Sequence, residues 1–302
     1  MTFTISVGSA RVDQVTELER WAFPPAGLFP AIPDGVAAQA QGEFGDGSID
    51  PDNGDLLLAI HTYVIRLGDT VIIADTGNGN HKQRPNLLPH HMFDTDFLDR
   101  LAAVGVTPDE VDIVISTHLH PDHCGWNTRL QDGQWVPTFP YATYLFAQSD
   151  LDALAELADT SDLDGVEADL ARTYLDSVGP VLREGHWRAV TDGEAIAAYD
   201  GTEVVVLAMP GHTHGHLAVE ITSPQGGAII SGDAIHHPIQ LLHPDLVQGG
   251  DADPHAARTT RDALLRRCAT EDLLLLPAHF TEQAPFRVTL ENDRPQVSAV
   301  AD

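Results

Sequence analysis

His118-Leu119-His120-Pro121-Asp122-His123 places three imidazoles and one carboxylate within six consecutive residues. The stretch follows Val111-Asp112-Ile113-Val114-Ile115-Ser116-Thr117, a short apolar run rich in β-branched residues that predicts a buried strand. Pro121 cannot take part in regular ladder pairing, so we expect the strand to end and a loop to begin there. The sequence therefore predicts a cluster of polar side chains at the mouth of a strand.

The spacing within this stretch is typical of metal ligands. Side chains at positions i and i+2 of an extended chain point the same way, so His118 and His120 are expected to reach one metal ion. Asp122 and His123 follow on a turned backbone and are expected to face a second ion. Imidazole nitrogen and carboxylate oxygen suit zinc, and also iron, cobalt or manganese. A solvated histidine-rich loop is the weaker interpretation, because matching partners lie downstream.

The composition narrows the classes of partner. The chain has 302 residues, 43% of them hydrophobic, which is ordinary for a globular protein. Its 45 acidic residues far outnumber its 16 basic ones, and the formal net charge is -29. Such a surface repels phosphate backbones and anionic membranes, so we expect no nucleic-acid and no membrane partner.

The two cysteines, Cys124 and Cys268, form no Cys-x-x-Cys pair and predict no disulfide framework. Cys124 directly follows the histidine-rich stretch, yet a small buried thiol is its expected role. The first residues contain no signal-peptide pattern, and no apolar run is long enough to span a bilayer. A cytoplasmic location is therefore expected.

Two regions are predicted along the chain. Residues 1–55, rich in Gly, Pro and Asp, are expected to form an N-terminal arm packed on the core or on a partner subunit. Within this arm, residues 21–30 are apolar, aromatic and broken by prolines, so they are expected to cover a pocket, join a homodimer interface, or both. Residues 56–302 are expected to form one domain with a helical insertion around 159–187.

Short apolar strands that run into polar loops recur through this domain. A β-hairpin is predicted over residues 56–67 and 70–75, and further strands over 141–146, 203–209, 228–231 and 273–276. Helices are predicted around 96–104, from a cap at Ser149 through Leu157, and over 253–268. Histidine or aspartate follows a strand at positions 118, 212, 233 and 279. Ligands gathered at one end of the strands of a sheet would build a rigid site.

Over residues 56–280 these motifs resemble the metallo-β-lactamase superfamily. The resemblance implies an α/β fold, an αββα sandwich of two mixed β-sheets flanked by helices. It implies that Asp233 bridges two metal ions and that Asp75 supports the motif loop from behind. The ligands it implies for the first metal are His118, His120 and His212, and those for the second are Asp122, His123 and His279.

Within the superfamily, the sequence looks most like the branch of acyl-homoserine lactone lactonases and methyl parathion hydrolase. The lactonases carry a tyrosine three residues beyond the bridging aspartate, where this chain has His236. A histidine can donate the same hydrogen bond to a substrate carbonyl. The neighbouring His214, His216 and His237 are expected to have structural or supporting roles.

The resemblance implies a binuclear hydrolase that opens a lactone or ester bond by attack of a metal-bridging hydroxide. Two divalent ions, zinc foremost, are its expected cofactors, and Asp122 and His236 its expected catalytic residues. We expect a small-molecule substrate and a homodimer. The alternatives are a phosphotriesterase or thioesterase of the same fold, a mononuclear iron redox enzyme, or a metal-binding protein without catalysis.

Overall fold

Two seven-stranded sheets are found in the computed structural model, which describes residues 3–282, 284–292 and 294–300. The first sheet contains β1 Thr4–Val7, β2 Ala10–Phe23, β3 Leu56–Leu67, β4 Thr70–Ala74, β5 Ile113–Ile115, β8 Thr143–Ala147 and β9 Trp187–Val190. The second contains β10 Ala195–Tyr199, β11 Thr202–Ala208, β12 Leu217–Ser223, β13 Gly226–Ile230, β14 Leu273–Leu276, β15 Phe286–Glu291 and β16 Arg294–Ala299. A separate hairpin pairs β6 Thr128–Gln131 with β7 Gln134–Pro137.

The helices are short, apart from α5 and α9. They are α1 Pro25–Leu28, α2 Val36–Phe44, α3 Phe97–Ala103, α4 Pro121–Cys124, α5 Gln148–Asp159, α6 Gly165–Thr173, α7 Gly179–Glu184, α8 Ile239–Leu242 and α9 Pro254–Glu271. A π-helical turn, Tyr174–Val178, joins α6 to α7, and 3-10 turns lie at Gly45–Gly47, Leu88–His90, Pro108–Glu110, Gly125–Asn127 and Gly232–Ala234. Within the described part of the chain, no helix combines the length and apolar character needed to cross a membrane.

Both sheets are mixed, as the αββα architecture requires. In the first sheet β1 to β4 pair antiparallel, whereas β5, β8 and β9 add in parallel. In the second sheet β13 and β14 are parallel and the other neighbours antiparallel. The parallel strands follow connections through helices, which cover the outer faces. The predicted sandwich of two mixed sheets flanked by helices is confirmed.

Apolar side chains fill three layers of the sandwich. Val12 and Ile65 of the first sheet pack with Val206 and Val219 of the second, in a cluster between the sheets. Leu101 of α3 and Leu154 of α5 belong to a cluster on the outer face of the first sheet. Leu264 and Leu265 of α9 belong to one on the second. Burial of each such side chain contributes roughly 1.5–3 kcal/mol.

The structure differs from the arm expected over residues 1–55. Strand β2 is 14 residues long and pairs with β3 from Ala10–Leu67 to Phe23–Leu56, so most of residues 4–23 belong to the first sheet. Its register shifts twice, and polar Asp13 and Glu17 are buried in it, which hides the alternation that normally signals a strand. The part of the expected arm that lies outside both sheets is therefore residues 24–55.

Two local predictions also need correction. Strand β5 ends at Ile115, because the N–H of Thr117 donates to the Asp75 carboxylate instead of to a neighbouring strand, at 2.7 Å. Pro121 therefore does not end the strand but begins α4. Ser149 does not cap α5, because this helix starts directly after β8 and Ser149 already lies in its first turn.

A buried carboxylate in β2 holds the loop that follows β4. Glu17 accepts hydrogen bonds from the backbone N–H of Asn78 at 2.5 Å, the Trp126 indole at 2.7 Å and the Thr95 hydroxyl at 3.2 Å. Gly77 has a φ of +62°, and a Cβ there would lie 2.3 Å from Glu17 Oε2. Only glycine permits this approach. The N-terminal strand thus helps to shape the loop beside the proposed site.

Replacing Glu17 by glutamine tests this role. The carboxylate of Glu17 accepts hydrogen bonds with both oxygens, whereas the amide of Glu17→Gln has only one oxygen. Its NH2 group would face one of the present N–H or O–H donors, and two buried donors would be left facing each other without an acceptor. We expect the free energy of unfolding in urea to fall by about 1–3 kcal/mol. The control is Glu19→Gln on the same strand, where the side chain is exposed and we expect a loss of about 0.5 kcal/mol or less. Equal stabilities for both variants would contradict the proposed role.

Candidate metal centre

The site forms where several strands of both sheets end. Asp75 follows β4, His118 follows β5, His212 follows β11, Asp233 follows β13 and His279 follows β14. Each of these side chains comes from the carboxyl end of its strand. The sandwich thereby gathers residues that are as much as 204 positions apart in the sequence into one buried cluster, which gives the site a rigid support.

Every residue predicted as a metal ligand falls into one of two groups. Within each group, one ligand-type atom per residue lies within 4.8 Å of the others. The first group contains His118, His120, His212 and Asp233, and the second contains Asp122, His123 and His279. The partition matches the assignment that the sequence resemblance implied. The ligand roles themselves stay a prediction.

Asp233 lies between the two groups. Its Oδ2 is 3.3 Å from His212 Nε2 and 3.8 Å from His118 Nε2, both in the first group. Its Oδ1 is 3.2 Å from His123 Nε2 and 3.0 Å from His279 Nε2, both in the second. One carboxylate thus presents a different oxygen to each set of imidazoles, which is the geometry a bridging ligand needs.

Most of these histidines are oriented from behind by a second hydrogen bond. The Nδ1–H of His123 donates to Asp75 and that of His212 to Asp251, both at 2.8 Å. His279 donates from Nδ1 to the Ala59 carbonyl at 2.8 Å. These bonds fix the tautomer in which Nε2 carries no proton and faces the centre, where the Nε2 of His212 lies 2.9 Å from His120 Nδ1.

The free atoms at the centre fit divalent ions. His118 Nε2, His123 Nε2 and Asp233 Oδ1 are buried and have no hydrogen-bond partner among the described residues. Asp233 Oδ1 lies close to His123 Nε2 and His279 Nε2, but these contacts do not have the angles of hydrogen bonds. Buried polar atoms without partners cost about 1–3 kcal/mol each, so a cluster of them is expected to have another function. Nitrogen and carboxylate donors in this arrangement suit zinc and related metals.

The electrostatics favour a cation in the same place. Burial and the neighbouring imidazoles lower the pKa of His118, and burial lowers the pKa of His120 to about 3, so both are neutral near pH 7. Burial opposes a charge on His123, yet the carboxylates of Asp233 and Asp75 raise its pKa well above the usual range. The carboxylates thus draw a positive charge into the centre. Metal binding would supply that charge and displace the proton.

His236 lies outside these two groups, although it also has a ligand-type atom within 4.8 Å of those of His212 and Asp251. Its Nε2 lies 3.2 Å from Asp233 Oδ2, on the side of the first group. Both of its ring nitrogens are buried and lack a hydrogen-bond partner among the described residues, so no second bond orients the ring. It also lines the cavity above the centre. An imidazole that is held by packing alone and faces the cavity is suited to contact a substrate.

Two of the other histidines near the motifs make hydrogen bonds that support the structure. His216 Nε2 accepts the N–H of Asp233 at 2.8 Å, and its Nδ1–H donates to the Met209 carbonyl at 3.1 Å. His237 accepts from the Ile239 N–H and donates to the Ser48 carbonyl. His214 is exposed.

The thiol of Cys124 is buried and donates to the His120 carbonyl, and burial raises its pKa. This agrees with the small buried thiol that the sequence predicted. A reactive thiolate at this position is therefore disfavoured.

A cavity of 260 Å³ opens onto the centre. Trp21, Phe23 and Leu28 form part of its wall, as expected for a segment that covers a pocket, whereas Phe29 is buried in an apolar cluster. His90 also lines the cavity; its ring centroid is 5.0 Å from that of Trp21, and it pairs with the Asn78 side chain at 2.6 Å. The metal-ligand candidates thus face a largely apolar space.

Sequence reasoning missed three residues of this region. Asp251 lies in the loop before α9 and is one of 45 acidic residues, with no preceding strand to mark it. Glu17 lies in a strand that was not predicted, and His90 lies in a 3-10 turn with no recognisable motif. No local signal distinguishes these residues, because each acquires its role through contacts with distant segments.

A model of the metallo-beta-lactamase superfamily matches residues 56–279, well over half of the chain. The chain belongs to the metallo-beta-lactamase superfamily. The region of the match contains every predicted metal ligand and both expected catalytic residues, and the site is that of a hydrolase of this superfamily. No curated protein sequence matches the chain.

Solved structures share the fold of this superfamily member at low sequence identity. The hydrolase AbOPH of the beta lactamase superfamily has a TM-score of 0.81 at 20% identity, covering 100% of this chain and 98% of its own. AidC, a dizinc quorum-quenching lactonase, has a TM-score of 0.79 at 16% identity with the same coverage. A probable metal-dependent hydrolase from Staphylococcus aureus has a TM-score of 0.74 at 16% identity, covering 99% of each chain.

The two buried carboxylates behind the centre allow a matched test. Asp75→Asn should weaken metal binding to the second group through His123, and Asp251→Asn should weaken it to the first group through His212. Loss of such a supporting carboxylate typically lowers metal affinity by about 10–100-fold. In a competition experiment, each variant should release one of its two zinc equivalents at a lower chelator concentration than the parent protein does.

The control is the exposed Asp152→Asn, which should bind metal as the parent protein does. The assignment would be contradicted if Asp75→Asn and Asp251→Asn both retained two equivalents with the parent affinity.

Proposed function

We propose that this protein is a binuclear metal-dependent hydrolase that opens lactone or ester bonds, with zinc as its metal. The observation that carries the proposal is the position of Asp233, whose two oxygens face two separate sets of imidazoles beneath an apolar cavity. Two divalent ions bound there would make hydroxide available near neutral pH and polarise a carbonyl oxygen.

The residues around the centre would have different roles in the proposed reaction. Asp233 would hold the two sets of ligands at a fixed separation. The carboxylate of Asp122 lines the cavity, and its Oδ2 lies 3.6 Å from His279 Nε2 and 3.7 Å from His123 Nε2. From this position it could accept the proton of the attacking hydroxide and pass it to the departing alcohol oxygen. His236 would donate a hydrogen bond to the oxygen that gains negative charge during attack.

The cavity favours a neutral substrate with apolar parts. Its wall includes the apolar side chains of Trp21, Phe23, Leu28 and Leu58, and the surface carries a formal net charge of -29. A field of this sign repels anionic substrates such as charged thioesters. The lactonase neighbours of the fold, including AidC and an N-acyl homoserine lactone hydrolase, support the lactone as the first class to test.

A substrate panel with variants of His236 tests the proposal. The parent protein should hydrolyse lactones or aryl esters measurably, phosphotriesters weakly and β-lactams very little. His236→Ala should lower kcat by about 10–1000-fold because an oxyanion donor is lost. His236→Tyr should restore much of the rate by supplying a hydroxyl donor, whereas His236→Phe should not.

The exposed His255→Ala serves as the control, and zinc content is measured for every variant so that a lost donor is not confused with a lost metal. Efficient β-lactam cleavage without any lactone or ester hydrolysis would refute the substrate class. Full activity of His236→Phe would remove His236 from the mechanism.

The homodimer and the cytoplasmic location stay predictions. The mass of the protein in solution tests the first, and cell fractionation tests the second. A redox enzyme of the same fold would be indicated by a single iron per chain and oxygen consumption in place of hydrolysis.

A further inference from the structure

A second cavity lies beside the one above the metal centre. Its volume is 160 Å³, and Leu119, Leu154, Leu157 and Ala252 contribute an apolar lining. We call it the side cavity. An apolar cavity of about 150 Å³ is large enough to bind a group of the size of benzene. The side cavity therefore has room for a compact apolar group or a short alkyl chain.

The carboxylate of Asp150 in the side cavity already has hydrogen-bond donors from the protein. Asp150 accepts the Thr213 hydroxyl with Oδ2 and the Gly215 N–H with Oδ1, both at 2.7 Å. No carboxylate oxygen of Asp150 is left without a donor to recruit a polar ligand. The chemistry of the lining thus favours an apolar occupant.

Two residues line both cavities, His120 and Leu170. His120 belongs to the first ligand group, so its position is tied to the metal centre. Leu170 lies on α6 and makes no polar contact with that centre. Leu170 is therefore the part of the shared wall that can vary without changing the candidate metal ligands.

The helix that carries Leu170 is anchored. The neighbouring Asp169 is fully buried and accepts the backbone N–H groups of Asn86 at 2.7 Å and Leu87 at 2.9 Å. Leu87 itself lines the cavity above the metal centre. The wall formed by α6 and this loop is thus fixed by hydrogen bonds, and Leu170 is held in place between the cavities.

We infer that Leu170 limits the length of the apolar substituent that the enzyme accepts, and that truncating Leu170 would open the side cavity as a subsite for the distal part of longer substituents. This inference rests on the proposed lactone or ester hydrolysis. Burial of each additional methylene group changes kcat/KM by about fourfold. Removing the Leu170 side chain should therefore raise kcat/KM by an amount that increases with the length of the substituent. It should not raise kcat/KM equally for all lengths.

The test uses γ-lactones with unbranched alkyl substituents of increasing length. Relative to its effect on the unsubstituted lactone, Leu170→Ala should raise kcat/KM for the longer members by about fourfold per methylene that enters the side cavity. Adding Ala153→Trp, on an exposed position of the side-cavity lining, should fill the subsite and abolish the gain. Leu157→Ala alone should leave the length profile of the parent, because Leu170 still closes the wall.

A binding measurement accompanies the kinetics. Cyclopentanones with the same alkyl substituents resemble the lactones but cannot be hydrolysed. Each should raise the melting temperature, and in Leu170→Ala this rise should keep growing up to longer alkyl chains than in the parent protein.

The role of Leu170 would be refuted if Leu170→Ala had the length profile and melting-temperature shifts of the parent protein. It would also be refuted if kcat/KM changed equally for all lengths. Either result would leave lactone hydrolysis intact. A parent protein that hydrolyses no lactone or ester would instead overturn the proposed function.

Discussion

The placement of one carboxylate between two sets of imidazoles determines what this fold can do. Asp233 approaches His212 with one oxygen and His279 with the other, at 3.3 and 3.0 Å. Without a metal ion such a buried cluster would be unfavourable, because the imidazoles and the carboxylate lose their hydration together. Divalent cations would offset that loss. The centre is thus built to be stable with metal bound, and metal affinity and folding stability are expected to be coupled.

The surrounding fold keeps this arrangement rigid. Each ligand group follows the end of a sheet strand, and buried carboxylates lie behind the ligands: Asp75 behind His123 and Asp251 behind His212. Glu17 holds the loop that follows Asp75, which makes the N-terminal strand part of the frame. Carboxylates at this depth also favour positive charge at the centre, as the raised pKa of His123 shows. Stability, metal binding and catalysis are therefore expected to depend on the same groups.

The candidate ligands could be predicted from the sequence because each belongs to a short motif after an apolar strand, as at His118 and Asp233. The sandwich, now confirmed, was implied by the resemblance of these motifs to the superfamily. Strand β2 could not be predicted, since Glu17 and other buried polar residues replace the apolar alternation on which the prediction relies. Asp251 and His90 carry no local signal, because they reach the site only when distant loops pack together. Sequence patterns thus reveal ligands more readily than the residues that orient them.

Anomalous diffraction from crystals grown without chelator tests the central claim most directly. The account predicts two zinc peaks per chain, about 3.5–4 Å apart, with Asp233 Oδ2 bound to the ion near His118 and Oδ1 bound to the ion near His279. A single peak in crystals of fully active protein, or two peaks with Asp233 bound to neither, would contradict it.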